Sequence, residues 1–122
     1  MNCKKQCVIV DIDGTVIKHC RPWEWTNPIT ILPGVLEQFA DWESQGCHIV
    51  LMTGRKESNR QWLQDQLRRK GLYWDALLMN CGSGPRTLVN DMKPNGQKSA
   101  HAVNCKRDAG MKEGWHSYGD DK

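Results

Sequence analysis

Apart from tryptophan the chain is poor in aromatics: one Phe and two Tyr stand beside six Trp. Long apolar runs are also missing. The stretches around Val8–Val10 and Ile49–Met52 fall far short of the roughly 20 residues that a spanning helix needs, so a membrane role is not expected. There is no block of like charge either. The formal net charge of +3 is mild and the Lys and Arg are scattered, which is too little to argue nucleic-acid binding by itself but suits an anionic substrate. No Cys or His pair completes Cys3 and Cys7 at zinc-finger spacing, and the other cysteines are single, so a structural zinc site is not expected. After Lys4 and Lys5 the acids Asp11 and Asp13 arrive before any apolar signal region could form. That predicts a cytoplasmic protein with reduced thiols, in which Cys7 and Cys47 act as small buried apolar groups. No internal repeat or linker divides the 122 residues, a length usual for one domain.

What is present is organised around Cys7–Thr15, read C-V-I-V-D-I-D-G-T. An apolar β-branched run delivers Asp11 and Asp13 into a turn at Gly14, as a strand does at the carboxyl edge of an open α/β sheet. Two carboxylates so close can share a hard divalent cation. Residues 16–32, with Pro22, Trp23, Trp25 and Pro28, have no sustained period and read as a Trp-rich flap over the strand end. Its tryptophans either line an entrance or cover the sheet, covering being the commoner use. Pro33-Gly34 opens a helix with Val35, Leu36, Phe39, Ala40 and Trp42 on one face, closed by Gly46. His48–Met52 follows as a second strand ending in Thr53-Gly54-Arg55, and strand, helix, strand implies a right-handed crossover.

A second helix is expected from Ser58 to Lys70, where Arg68, Arg69 and Lys70 suit its carboxyl end. Asp75–Met79 then makes a third strand. The loop N-C-G-S-G-P-R over Asn80–Arg86 is too short for a helix, and Thr87–Val89 reads as a fourth strand running into Asn90-Asp91. Ala100–Val103 would add an edge strand. Residues 107–122 are glycine-rich and read as a loosely held tail, with Trp115 and Tyr118 able to pin it.

Strand ends in a parallel sheet lie on one edge, so Asp11, Asp13, Thr53 and Asp91 should meet there. Carboxylates beside a hydroxyl and backbone N–H groups suit magnesium-assisted phosphoryl transfer. The motif order resembles the haloacid dehalogenase-like superfamily, in Asp11-Ile12-Asp13-Gly14-Thr15, in Thr53 with Gly54-Arg55, and in Asn90-Asp91. The resemblance covers roughly residues 6–92. It implies a single Rossmann-like three-layer α/β domain over 1–122 with a mainly parallel sheet and little or no cap domain.

By the same resemblance Asp11 is the nucleophile and Asp13 the general acid and base, while Mg2+ is held by Asp11, the Asp13 carbonyl and Asp91. Gly14, Thr15, Thr53, Gly54 and Arg55 would bind the substrate. Two departures stand out. The lysine that precedes the family's acidic motif is missing, leaving Arg86, Lys93 or Lys98 to replace it, and a fork is not equivalent to an ammonium. Asn90 replaces one of two acids. The expected activity is that of a magnesium-dependent phosphomonoester hydrolase acting on a small phosphorylated sugar or similar metabolite. A homo-oligomer could lend the missing lid. A non-catalytic phosphate- and magnesium-binding module, and a phosphatase acting on macromolecular phosphates, are the other readings.

Overall fold

The structure is a computed structural model that describes residues 6–111. Strands β1 (Cys7–Asp11), β2 (His48–Met52) and β3 (Ala76–Leu78) form a parallel sheet in that order. Helix α1 (Val35–Ser44) joins β1 to β2 and helix α2 (Arg60–Arg69) joins β2 to β3. This is the Rossmann-like α/β arrangement that the alternation of apolar runs predicts. Val8 pairs with Ile49 and Val10 with Leu51, while Leu51 pairs with Leu77. Because side chains alternate along a strand, these residues share one face, and they join Val35, Phe39 and Trp42 of α1 and Leu63 and Leu67 of α2 in one core. Right-handed crossovers that step the same way put both helices on one side. The opposite face carries Ile9 and Leu78, 45% and 49% exposed, and the described residues put no helix over it.

Gly34 makes the entry to α1 in the left-handed region at φ 78°, which a side chain would resist. Helix α2 begins two residues later than the pattern predicts, after a 3-10 turn at Glu57–Asn59. The flap is a short hairpin: Lys18 N–H donates to Thr30 and Leu32 N–H to Val16, at 2.9 and 3.0 Å. Val16, Ile17, Ile29 and Leu32 bury its base in the core, and Trp23 at its tip is 74% exposed.

Several expectations fail. Thr87–Val89 does not form a strand, and neither does Ala100–Val103. Leu88 and Val89 are 60% and 90% exposed; an apolar triplet with β propensity but no ladder partner has nothing to hold it extended. Residues 107–111 are not loose. Met111 is buried and its N–H donates to Pro33 at 2.8 Å. The rest of that tail, with Trp115 and Tyr118, lies outside the described residues. Cys7 is exposed, and Cys47 is buried but disulfide-bonded.

Candidate active site

The turn after β1 is built on one carbonyl. Ile12 O accepts from the amides of Thr15, Val16 and Ile17 at 3.2, 2.8 and 3.1 Å, and Gly14 makes the reversal possible at φ 91°. Ile12 N–H meanwhile continues the ladder to Met52 at 2.9 Å. Asp11 and Asp13 are thereby held at the carboxyl edge of the sheet, beside the end of β2.

Asp13 is fully engaged from that neighbouring strand end. Thr53 Oγ1 donates to Asp13 Oδ2 at 2.7 Å, and Arg55 Nε and Nη2 donate to Oδ1 at 3.1 and 3.0 Å. The remaining Arg55 donors reach Trp25 O, Asn59 Oδ1 and Cys20 Sγ. A guanidinium has five N–H donors and all five are used. Arg55 is 1% exposed, so it is not the substrate-binding group expected from the sequence; it anchors Asp13 and ties the flap to α2. Thr53 is buried as well, and its one hydroxyl proton lies on Asp13. Among the described residues the Gly54 N–H is the one donor of T-G-R without an acceptor, and Gly54 lines the cavity.

Asp11 faces the opposite partner. Arg86 Nη2 lies 3.7 Å from Asp11 Oδ1. Burial pushes the Asp11 carboxyl above its ordinary range; the Arg86 charge pulls it back, and Asp13 adds to the rise. Arg86 is oriented by its own loop, donating to Cys81 O, Gly82 O and Gly84 O at 3.0, 3.0 and 3.1 Å. That loop is placed by Asn80 N–H on Arg55 O and Cys81 N–H on Thr53 O, at 2.7 and 2.9 Å. Gly14 and Thr15, expected to bind substrate, donate their amides internally to Ile17 O and Ile12 O.

Asp11, Asp13, Gly54, Arg55, Gly82 and Arg86 line a cavity of about 480 Å³ that also takes in His19, Arg21, Trp25 and Arg107. Arg107 has no motif around it in the sequence. The signal was the D-A-G that follows, a turn in which Asp108 and Gly110 both take positive φ, 64° and 82°. Asp108 N–H donates to Gly14 O, and its Oδ1 accepts from His19 N–H, each at 2.8 Å.

Asp91, Lys93 and Lys98 do not line this cavity. Asp91 is exposed in a loop where its carbonyl accepts from Ser99 Oγ at 2.6 Å, and Lys93 N–H donates to Gln97 O at 2.9 Å. Without a fourth strand nothing carries Asp91 to the sheet edge. Among the described residues no three His, Cys, Asp or Glu side chains gather as a metal cage, and Asp91 does not join Asp11 and the Asp13 carbonyl at the cavity. Magnesium also binds through one or two carboxylates with waters and substrate phosphate oxygens. The half-buried, cavity-facing Asp11 carboxylate fits that mode.

No protein-family model matches the chain, and no curated protein does. Solved structures do. A chain of the Pnkp1/Rnl/Hen1 complex is 23% identical with a TM-score of 0.57 over 68% of this chain and 30% of its own. A Vibrio cholerae protein is 20% identical with a TM-score of 0.51, over 70% of this chain and 79% of its own. The D,D-heptose 1.7-bisphosphate phosphatase from B. bronchiseptica, complexed with magnesium and phosphate, is 24% identical with a TM-score of 0.49, over 66% and 51%. The chain thus spans about 30% of the first of these and about half of the last. Likeness at this level concerns the α/β fold alone. No helix among the described residues is long and apolar enough to cross a membrane.

Proposed function

We propose that this chain is a haloacid dehalogenase-like phosphomonoester hydrolase acting on a small phosphorylated sugar or similar metabolite. The observation that carries the reading is the division of labour between two adjacent acids. Asp13 has both carboxylate oxygens fixed by Thr53 and Arg55, whereas Asp11 stands at the cavity with an Arg86 guanidinium opposite. A group that must pass a proton in a set direction is oriented; a group that must attack is left facing the substrate.

In the proposed reaction an Asp11 oxygen attacks phosphorus and the bond to the leaving oxygen breaks. Asp13 supplies the proton to that oxygen. Water then attacks the resulting aspartyl phosphate while Asp13 takes its proton, returning Asp11 as carboxylate and releasing phosphate. Arg86 and the Gly54 amide are the donors available to the phosphoryl oxygens, where charge builds up in the transition state. Asp11 and the Asp13 carbonyl would hold Mg2+, which supplies positive charge to the phosphoryl oxygens when bound.

The test is hydrolysis of an aryl phosphate and a panel of sugar phosphates by wild type and Asp11→Asn, with magnesium and after chelation. Turnover that needs both Asp11 and the metal supports the reading. Turnover surviving Asp11→Asn refutes the aspartyl-phosphate route. Absence of turnover, with phosphate still bound in the presence of magnesium, would favour the binding module.

A further inference from the structure

One wall of the cavity has no task in the hydrolase reading, and Arg107 stands on it. Its side chain crosses Gly14, with Cγ 3.4 Å from where a Cβ on residue 14 would lie. The turn that carries Arg107 is fastened at several points. Asp108 joins Gly14 O and His19 N–H, Met111 joins Pro33, and a Cβ on Gly110 would come within 2.2 Å of Pro33 O. Holding a non-glycine residue at positive φ costs free energy, so these contacts fix a conformation that the 106–111 segment would not adopt alone.

The other guanidiniums of the cavity are committed differently. Arg55 has spent every donor, Arg86 faces Asp11 and its own loop, and Arg21 lies over the Trp23 ring with Cζ 5.5 Å from its centroid. No carboxylate among the described residues pairs with Arg107, and the two carboxylates of the cavity, Asp11 and Asp13, each have a partner. The leaving group must lie on the side of Asp13, which protonates it. Gly14, the next residue, is the one Arg107 crosses.

We propose that Arg107 is a specificity-determining residue that binds a second phosphate on the leaving-group part of the substrate. This rests on the hydrolase reading of Asp11 and Asp13. The substrate class is then a bisphosphorylated small molecule, with one phosphate cleaved at Asp11 and the other retained on a forked guanidinium.

The test compares glucose 1-phosphate with glucose 1,6-bisphosphate. Binding is measured by calorimetry on Asp11→Asn protein, and turnover on protein with Asp11 intact. Each is repeated with Arg107→Ala, and with Lys106→Ala as a control that removes the same charge one residue away. The expected result is that the bisphosphate binds about tenfold more tightly than the monophosphate. Arg107→Ala should remove most of that preference and Lys106→Ala should leave it. Equal binding of the two sugars, no binding of either, or a preference that survives Arg107→Ala overturns the assignment. If the binding preference follows Arg107 but the Asp11-containing protein turns over neither sugar nor an aryl phosphate, the hydrolase reading fails and the Arg107 assignment stands. Turnover that depends on Asp11, with a bisphosphate preference indifferent to Arg107, overturns the assignment alone.

Discussion

Arg55 donates twice to a single oxygen of Asp13, from Nε at 3.1 Å and from Nη2 at 3.0 Å, with the arginine side chain 1% and the aspartate side chain 16% exposed. The same guanidinium bonds Trp25 of the flap and Asn59 at the head of α2. One side chain therefore links the turn after β1, the flap and the second helix.

Removing it should cost stability as well as activity. Arg55→Ala leaves a mostly buried carboxylate without its cation, with Thr53 Oγ1 as its remaining donor, and takes from Trp25 O one of its two donors; breaking such a pair from one side costs on the order of 3 kcal/mol. Arg55→Lys should recover little, because one ammonium cannot serve the four acceptors in their fixed plane. Urea unfolding of both variants measures this; a loss below about 1 kcal/mol in Arg55→Ala, the range of an exposed pair, would show the link to be dispensable.

The raised Asp11 carboxyl makes a prediction of definite sign. Burial is the main cause, so the folded state holds the Asp11 proton to higher pH than the unfolded chain does. Stability contributed by this group is greatest below its ordinary value near 3.8 and is lost as pH rises through the folded value. Asp11→Asn carries no such penalty. It should melt at a higher temperature than wild type at pH 7, with the gap closing as pH falls towards 4. A gap that widens on acidification would contradict the burial that raises the group.

Much of this arrangement is legible in the sequence, and the division has physical reasons. Asp11, Asp13 and Thr53 end short apolar runs, and a parallel sheet aligns such ends whatever the rest of the chain does. Thr87–Val89 has the same composition but finds no ladder, so Asp91, which depended on it, stays in the loop. The sequence alone suggests a substrate group at Arg55, because composition cannot tell a buried cation from an exposed one. Arg107 was invisible because its position comes from a long-range clasp, Asp108 onto Gly14 and His19, whose only local trace is a turn sequence.

The bridging cation can be separated by mutation. Arg86 stands 3.7 Å from Asp11, whereas Lys93 is in a loop that does not line the cavity. Arg86→Ala should lower kcat/KM on an aryl phosphate by on the order of a hundredfold, the scale of losing one preorganised donor, and Lys93→Ala should stay close to wild type. The reverse ranking would mean that the 90–99 loop closes over the site during turnover.

Gly54 and Arg86 should prove coupled. A Cβ on Gly54 would stand 2.8 Å from Gly82 O, a backbone contact too short to keep, so Gly54→Ala must push the 81–86 loop away. Gly82 O is one of the carbonyls that orient Arg86, through Nη2 at 3.0 Å, so the displaced loop carries the guanidinium off Asp11. If that is how the alanine acts, Gly54→Ala lowers kcat/KM about as much as Arg86→Ala. Once Arg86 is gone the alanine should do little further harm. The double variant then falls well short of the sum of the two losses in free energy, the mark of groups acting through one another. Additive losses would mean that Gly54 serves the substrate directly, through its amide, and that the position of Arg86 does not depend on it.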